Sequence, residues 1–415
     1  MSVLLCEQPI GILQLNSGSM SFSYKDAQRA LSLSMPVRSE PYKNRACEAF
    51  FGALLPDNSG TRQIIARNLG MHSNSSFSLL TEIGFDCAGA VSLRPIEKPL
   101  AKQNEWFELE GKSLTEEDLF TLLKDLPTKP LLAGVDGIRI SLGGAQNKAA
   151  LCLINNEIGI PGTNIPTTHI LKPSIKDPDI VDSVRNEYFC MTLAARIGLE
   201  APNVQIRKAK DVEFLLIERF DREINSDTRI KRIHQEDFCQ ALGVVSTKKY
   251  QVDGGPTLKD CFSLLDRTTI PLLDKRKLLH RVIFNYVVGN ADCHAKNFSL
   301  SHKDAETVHL TPVYDILCTA VYPKLTTKFA MSIGGEYDLN RISRENWIRF
   351  CSDQANVNIK AFKNICLELC DGIVEQSATV SEEMRIQKLW NATMEKIADL
   401  VRTRARELKE SAVLL

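Results

Sequence analysis

The segment VVGNADCHAKNFSL, residues 287–300, has residue types that could perform phosphoryl transfer. It contains Asp292 and Asn297 in the spacing D-x-x-x-x-N, directly after an apolar stretch that ends at Gly289. A carboxylate can orient and deprotonate an acceptor hydroxyl, and a nearby amide oxygen can hold Mg²⁺ beside the phosphates. Asp292 is therefore a candidate catalytic base and Asn297 a candidate metal ligand. A solvated turn after a helix fits this spacing, taken alone, equally well.

A second carboxylate, Asp315, follows a strand-like run in LTPVYDILC. Mg²⁺ prefers hard oxygen ligands, and water and phosphate oxygens supply most of them. An isolated aspartate after a strand is usually a turn or cap residue, but beside the D-x-x-x-x-N pair Asp315 becomes a candidate metal ligand. We also expect His294 and Lys296 to face the phosphates and Tyr314 to contact the nucleotide.

Upstream, ISLGGAQNKAAL (residues 140–151) has two glycines and a lysine between apolar runs. Glycines let backbone N–H groups approach phosphate oxygens closely. The segment matches neither G-x-x-x-x-G-K-[ST] nor G-x-G-x-x-G, and a glycine-rich hairpin turn is the alternative interpretation. The candidate phosphate-binding residues of this loop are Gly143, Gly144, Ala145, Gln146, Asn147 and Lys148.

Two further segments could complete a nucleotide site. Lys172, at the end of THILKP, could pair with phosphates while Glu187 on the next helix holds it in place. A lone strand lysine is otherwise normally an edge or surface residue. In LLIERFDR, the backbone around Glu218, Arg219 and Phe220 could hydrogen-bond adenine. The alternative there is a strand end with a cluster of ion pairs.

The composition excludes several classes of protein. Lys plus Arg and Asp plus Glu each number 51 in the 415 residues, so no overall basic field attracts nucleic acid. Twelve cysteines without C-x-x-C pairs predict buried thiols in a reducing cytoplasm. No apolar run reaches the roughly 18 residues of a membrane span, and the first residues do not resemble a secretory signal. The sequence contains no common hydrolase motif. We expect a cytoplasmic protein with no membrane partner.

The elements that must position these residues change in character along the chain. Short strand-like runs dominate residues 3–95, and apolar runs typical of an antiparallel sheet, with one interposed helix, dominate 137–222. Helical periodicity dominates from Gln235 onward, beginning with QEDFCQALG. The pattern predicts an α+β, protein-kinase-like two-lobed fold. The predicted domains are an N-terminal mixed α/β accessory subdomain (1–100), a sheet-rich N-lobe with the nucleotide loop (101–223) and an all-helical C-lobe with the catalytic loop and metal site (224–415).

Over nearly its whole length the chain resembles the HipA-type serine/threonine kinases, toxins of bacterial toxin–antitoxin modules. The matching segments include LLPD (54–57), EIGFDCAGAVSL (82–93), ISLGGAQNKAAL, NEYFC, ERFDR, YQVDGGP, DCHAKNFS and LTPVYDIL. The resemblance implies ATP and Mg²⁺ as cofactors, Asp292 as the base, and Asn297 and Asp315 as metal ligands. It also implies inactivation by autophosphorylation of Ser141, because the added charge would occupy or expel the loop that cradles ATP.

The resemblance further implies partners. We expect a HipB-like helix-turn-helix antitoxin, and contact with operator DNA mainly through that antitoxin. The expected substrate is a host protein such as an aminoacyl-tRNA synthetase, whose phosphorylation would inhibit translation and growth. The alternative function is that of a non-catalytic co-repressor that only retains the ATP site. Gly143 and Cys293 depart from the family's usual Ala and Gly, and neither departure alters a ligand-bearing residue.

Overall fold

The structure, a computed structural model, describes residues 1–96, 105–135, 138–144 and 146–415. Within these residues the chain divides into two compact units. The first unit comprises Met1–Pro173, Arg207–Thr247 and Ser299–Val308, and the second comprises Ser174–Ile206, Lys248–Phe298 and His309–Leu415. The predicted α+β class is confirmed. The predicted domain limits stay predictions, and the one at residue 100 lies outside the described residues.

The strands form several small sheets. Their bounds are β1 (Ser2–Leu5), β2 (Gln8–Asn16), β3 (Ser19–Tyr24), β4 (Val91–Arg94), β5 (Trp106–Glu108), β6 (Gly111–Ser113), β7 (Ala149–Ile154), β8 (Glu157–Pro161), β9 (His169–Pro173), β10 (Val204–Ala209), β11 (Val212–Glu218), β12 (Arg222–Ile224), β13 (Arg229–Arg232), β14 (His234–Asp237), β15 (Ser299–His302), β16 (Val308–Leu310), β17 (Lys328–Ile333) and β18 (Glu336–Asp338). The two largest sheets have the strand orders β3-β2-β1-β4 and β10-β11-β9-β7-β8-β6. The second of them therefore joins the strand after the glycine-rich loop, β7, to the strand that contains Lys172, β9.

The longest helices all belong to the second unit. The bounds of the helices are α1 (Asn44–Phe50), α2 (Ser59–Asn68), α3 (Ser76–Ile83), α4 (Glu116–Asp125), α5 (Ser183–Arg196), α6 (Phe238–Leu242), α7 (Leu258–Leu264), α8 (Pro271–Val288), α9 (Arg344–Arg349), α10 (Ile359–Ile386) and α11 (Ala392–Val413), with a π-helix at Phe350–Ala355. The longest are α8, α10 and α11. Of the helices in the described part of the chain, none has both the length and the apolar character that crossing a bilayer would need.

One hydrophobic core holds the first unit together. Phe22 of β3 and Phe50 at the end of α1 are fully buried in it, as are Phe51 and most of Leu54 just beyond the helix. Each such phenylalanine stabilises the fold by about 2 kcal/mol through burial alone. The same core contains Ile140, so it positions both the LLPD segment and the start of the glycine-rich loop.

Helix α8 is the central positioning element of the second unit. Pro271 occupies the first position of this helix. Proline suits that position because a backbone N–H there has no acceptor within the helix, so its absence costs no hydrogen bond. From Leu278 to Val288 nearly every side chain is buried, so the helix lies in the unit's interior. It ends at Gly289, whose φ of +70° is the left-handed conformation that glycine adopts at low cost. The predicted helix end at Gly289 is therefore found in the structure.

The region after residue 224 contains short strands in addition to the predicted helices. The predicted helix QEDFCQALG begins only at Phe238, because Asp237 accepts the N–H of Gln240 and caps the helix there. Residues 234–237 instead form β14, which pairs antiparallel with β15. Strands of four residues are too short to show a clear period, and they form because of partners distant in the sequence.

The cysteines agree with the expected burial. All twelve are free thiols; eleven are buried, and Cys6 is partly exposed. Burial raises the pKa of the Cys47 thiol to about 12, so that thiol is neutral and unreactive at physiological pH.

Candidate functional site

The D-x-x-x-x-N segment folds into a tight turn after α8. The backbone carbonyl of Asp292 accepts the N–H of His294 at 2.8 Å and the side-chain amide of Asn297 at 3.0 Å. The N–H of Asn297 in turn donates to the carbonyl of His294 at 2.9 Å. These bonds bring Asn297 back to Asp292, and they use the amide nitrogen, so the amide oxygen is the atom of Asn297 with ligand character. The Asp292 side chain is exposed to solvent.

Hydrogen bonds on both sides of Asp315 join its segment to this turn. On one side, the Tyr314 hydroxyl donates to the carbonyl of Lys296 at 2.7 Å. On the other, the Thr319 hydroxyl donates to the carbonyl of Gly289 at 3.0 Å. The segment that contains the candidate metal ligand Asp315 is thus held beside the D-x-x-x-x-N turn, and Asp315 itself is exposed with a left-handed φ of +59°. Aspartate tolerates that conformation better than most residues.

Helix α5 fixes the far end of the Asp315 segment through Asn186, which the sequence analysis did not identify. The side-chain oxygen of Asn186 accepts the N–H of Cys318 at 2.8 Å, and its nitrogen donates to the Cys318 carbonyl at 3.0 Å. Asn186 also contacts the hydroxyl of Tyr322 at 3.0 Å and is fully buried. Its neighbour Glu187 is buried on the same helix. The only feature of the sequence that could have pointed to Asn186 was its position next to Glu187 in NEYFC.

Tyr250 is a second residue that the sequence analysis missed. Its hydroxyl donates to Oδ1 of Asp292 at 2.8 Å. Its ring lies edge-on to the imidazole of the buried His294, with centroids 5.3 Å apart. The matching segment YQVDGGP contains Tyr250, but no local pattern predicts a contact with a residue 42 positions away.

In the first unit, the glycine-rich loop is held at its start and its middle. The Ser141 side chain is fully buried, and its hydroxyl donates to the carbonyl of Leu54 at 2.7 Å. The N–H of Ser141 donates to the carbonyl of Asp86 at 3.0 Å. Further along, the Gly144 carbonyl accepts the N–H of Asp57 at 3.2 Å. The LLPD segment therefore contacts the loop at two points three residues apart.

The end of the loop folds back on itself. The Lys148 ammonium donates to the carbonyl of Gly143 at 2.8 Å. Gly144 has a φ of +100°, and a Cβ added there would lie 2.6 Å from Nζ of Lys148. The Gln146 amide donates to the carbonyl of Pro173 at 3.2 Å. Among the remaining predicted loop residues, Asn147 is half-buried and Ala145 lies outside the described residues.

The predicted lysine pair is divided between the two units. Lys172 belongs to the first unit, on β9, where it is 6% exposed and lies opposite Leu215 of β11. Glu187 belongs to the second unit. Their pairing stays a prediction.

Part of the segment predicted to contact adenine forms buried ion pairs that stabilise the fold. The buried Arg219 side chain donates to both carboxylate oxygens of Asp221, at 2.9 and 2.8 Å, and to the carbonyl of Cys87 at 2.9 Å. Its N–H donates to the carbonyl of Thr168 at 2.9 Å. The ion-pair alternative thus describes the Arg219 side chain. Glu218 is exposed at the end of β11, and adenine binding by this segment stays a prediction.

The same ion-pair cluster fixes Asp86, the residue that pairs with the start of the glycine-rich loop. Its carboxylate accepts a hydrogen bond from the Arg222 side chain at 2.7 Å and another from the Thr167 hydroxyl at 2.6 Å. Complete burial acts to raise the pKa of Asp86, but the cations of Arg222, Arg219 and Arg232 outweigh that effect and lower it to about 2. The carboxylate is therefore charged throughout the neutral range.

The donor set of the second unit suits a magnesium ion. Asn297 and Asp315 offer hard oxygen atoms, the type that Mg²⁺ prefers, and nucleotide phosphates and water complete such a site. Within the described residues, no group of three or more His, Cys, Asp or Glu side chains could hold a metal ion.

Comparison with known proteins places the chain in a family. Residues 140–377 match the model of the HipA-like C-terminal domain, and residues 1–94 match that of the HipA N-terminal domain. The chain belongs to the HipA family. The resemblance stated from the sequence motifs is therefore confirmed.

Individual relatives match this chain over most of their length. A Sinorhizobium fredii protein named "Putative kinase Y4mE" is 41% identical over 95% of this chain and 94% of its own length. The Shewanella oneidensis protein named "Serine/threonine-protein kinase toxin HipA" is 29% identical over 80% of this chain and 78% of its own length. A solved Shewanella oneidensis complex of HipA, HipB and operator DNA matches with a TM-score of 0.83, at 25% identity, covering 99% of both chains. Kinase activity is thus supported for the family.

Proposed function

We propose that this chain is an ATP- and Mg²⁺-dependent protein serine/threonine kinase that acts as a toxin. The observation that supports this most is the pair of hydrogen bonds, Tyr314 to Lys296 and Thr319 to Gly289, that holds the Asp315 segment against the Asp292–Asn297 turn. A base and two hard oxygen ligands on joined segments are what phosphoryl transfer to a hydroxyl needs.

In the proposed reaction, Asp292 orients the acceptor hydroxyl and takes its proton. The hydroxyl oxygen bonds to the γ-phosphorus of ATP as the bond to the β,γ-bridging oxygen breaks, and ADP leaves with that electron pair. Asn297 and Asp315 would hold Mg²⁺, which when bound neutralises negative charge on the phosphates. The exposure of Asp292 fits a base that must meet the hydroxyl of another protein.

The remaining candidate residues would bind the nucleotide. Lys148 would exchange the carbonyl of Gly143 for a phosphate oxygen, and Lys172 would neutralise further phosphate charge. His294, Lys296 and Tyr314 would line the same phosphates from the catalytic segments. Backbone groups of Glu218 and Phe220 would accept hydrogen bonds from adenine and donate hydrogen bonds to it.

Autophosphorylation of Ser141 would switch the kinase off. The Ser141 hydroxyl is fully buried against the Leu54 carbonyl, so it can reach a phosphate donor only if the segment leaves its place. A phosphate there would carry close to two negative charges, which cannot return to a buried site facing a carbonyl oxygen. The phosphorylated loop would therefore stay out and fail to cradle ATP.

The proposed biological role is growth arrest by phosphorylation of a host protein in the cytoplasm, with an aminoacyl-tRNA synthetase as the expected substrate class. The proposed partner is a HipB-like antitoxin, since the Shewanella oneidensis HipA structure is a complex with HipB and operator DNA. A chain with equal numbers of acidic and basic residues would contact operator DNA mainly through that partner. We keep the division at residues 100 and 223 as the proposed domain organisation.

Incubating the purified chain with labelled ATP and Mg²⁺ tests the kinase proposal. The chain should label itself at Ser141 or label a lysate protein, and Asp292→Asn should lower the rate by about 10²- to 10⁴-fold, as expected for loss of a base. The control is Asp371→Asn, which removes an exposed carboxylate on α10. If the wild-type chain labels nothing, the alternative co-repressor function is favoured. Expression without the antitoxin should then fail to arrest growth.

A further inference from the structure

We propose that Tyr250 is a positioning residue for phosphoryl transfer, which acts by fixing the carboxylate of Asp292. The proposal rests on the proposed kinase function and adds to it a residue outside the catalytic turn. Its basis is the hydrogen bond from the Tyr250 hydroxyl to Oδ1 of Asp292 at 2.8 Å, together with the way the Tyr250 segment is built.

The segment that presents Tyr250 is a tight turn. The Tyr250 carbonyl accepts the N–H of Asp253 at 3.1 Å and the N–H of Gly255 at 3.0 Å. The turn requires a φ of +79° at Gly254, and a Cβ added at Gly255 would lie 2.1 Å from the carbonyl of Lys248. The two glycines of YQVDGGP are therefore needed for the chain to double back, and that reversal fixes the backbone of Tyr250.

Side-chain contacts join this turn to the second unit independently of Tyr250. The Gln251 side-chain oxygen accepts the N–H of Ser332 on β17 at 2.9 Å, and its nitrogen donates to the Ser332 hydroxyl at 3.2 Å. On the same strand, the N–H of Ala330 donates to the carbonyl of Ala291 at 2.9 Å. The contacts form a closed circuit from the catalytic turn to β17, from β17 to Gln251, and from Tyr250 back to Asp292.

The ring of Tyr250 also restricts where its hydroxyl can point. It meets the His294 ring edge-on at an interplanar angle of 75°, a favourable arrangement for two aromatic rings. With backbone, ring and hydroxyl all held, Tyr250 restrains the rotation of the Asp292 carboxylate about its Cβ–Cγ bond. That rotation decides where Oδ2 points, and so where an acceptor hydroxyl must lie to lose its proton.

This role predicts a specific kinetic signature. Removing the hydroxyl should misorient the base without altering nucleotide binding, so kcat should fall while the affinity for ATP stays constant. The expected loss is about tenfold, as for one hydrogen bond to a charged group. A merely structural tyrosine would lower kcat, nucleotide affinity and melting temperature together.

The experiment compares Tyr250→Phe with Tyr337→Phe, a matched change on β18 of the same unit. Phosphate transfer by the full chain, the Kd of a non-hydrolysable ATP analogue and the melting temperature are measured for each. A second variant, Gln251→Ala, frees the turn while leaving the Tyr250 hydroxyl in place, and it should also lower kcat selectively.

The inference is supported if Tyr250→Phe loses about tenfold in kcat with unchanged Kd and melting temperature while Tyr337→Phe equals wild type. It is overturned if Tyr250→Phe equals wild type, or if kcat, Kd and melting temperature worsen together. A wild-type chain that transfers no phosphate contradicts the kinase proposal itself, and this inference falls with it. Failure of Tyr250→Phe to change kcat in an active kinase contradicts only this inference.

Discussion

The catalytic turn of the second unit and the glycine-rich loop of the first unit are fixed in different ways. Three side chains from two other segments, Tyr250 from one and Tyr314 and Thr319 from the other, reach the turn at Asp292–Asn297 and the helix end before it. In the described part of the glycine-rich loop, one backbone hydrogen bond and the hydroxyl of Ser141 join it to LLPD. Under the proposed function, the geometry around Asp292 is permanent, whereas the glycine-rich loop is released when Ser141 is phosphorylated.

The largest effect is expected from Ser141→Asp. An aspartate at this fully buried position would face the Leu54 carbonyl, at a cost of about 3 kcal/mol or more. The loop should leave its place, and affinity for an ATP analogue should fall about a hundredfold. Calorimetric titration measures the affinity.

Ser141→Ala is the matched control for that experiment. It removes one hydrogen bond, worth about 1 kcal/mol, and adds no charge. ATP affinity should stay within a few-fold of wild type, and labelling at this position should disappear. If the aspartate and alanine variants bind the analogue equally well, the loop is not released through residue 141.

Acid should have a smaller effect, a loss of folding stability as Asp86, in the ion-pair cluster beside the loop, becomes protonated. The pKa of Asp86 is lowered to about 2 in the folded chain, against an ordinary value of 3.8. A carboxyl group with a lowered folded pKa stabilises the fold above its unfolded pKa, and this stabilisation is lost as pH falls from about 4 toward 2. It amounts to roughly 2 kcal/mol.

Urea unfolding at pH 6, 4 and 3 measures this contribution. Asp86→Asn should be less stable at pH 6, because three arginines lose one of their buried anionic partners, but its stability should fall less between pH 4 and 3 than that of wild type. Asp371→Asn should follow wild type. Parallel acid profiles for wild type and Asp86→Asn would show that the cluster does not contribute in this way.

Glycine substitutions, which each add about 1 kcal/mol of backbone strain, are expected to separate the two regions most cleanly. An alanine at Gly289 would strain a φ of +70° and place its Cβ 2.8 Å from that of Ala320, so kcat should fall while ATP affinity is unchanged. An alanine at Gly144 would strain a φ of +100° beside the flexible end of Lys148, so ATP affinity should fall.

Gly198→Ala is the control for strain alone. Its φ is +82°, and an added Cβ would meet no heavy atom of the described residues within 4 Å. This variant should lose stability but keep both kcat and ATP affinity. If Gly289→Ala and Gly144→Ala change the same kinetic constant, the division of tasks between the two regions is wrong.

Local sequence patterns predicted some of the features that depend on neighbouring residues. The end of α8 at Gly289 was predicted in this way. The bond of the Asn297 amide to the Asp292 carbonyl was not predicted, although it joins residues only five positions apart. The contacts of Asn186 with Cys318 and of Tyr250 with Asp292 join residues far apart in the chain, and no period or motif encodes them. The start of α6 at Phe238 was missed because β14 competes with the helix through a distant strand.

The buried role of Arg219 could not be predicted for a related reason. In sequence, ERFDR is a charged strand end that suits either a ligand or an ion-pair cluster. Only the approach of Asp86 and Cys87, more than 130 residues earlier, decides that the guanidinium is buried. Charge pattern alone does not distinguish a solvated arginine from one that is completely enclosed.

Binding of Mn²⁺, as a spectroscopic substitute for Mg²⁺, tests the central claim most directly. Electron paramagnetic resonance would count the ions bound by the full chain with a non-hydrolysable ATP analogue, for wild type, Asn297→Ala and Asp315→Asn, with Asp371→Asn as the control. If Asn297 and Asp315 share one ion, either substitution should weaken Mn²⁺ binding at least about tenfold. The control should bind Mn²⁺ as the wild type does. Wild-type Mn²⁺ binding by both variants would contradict the account.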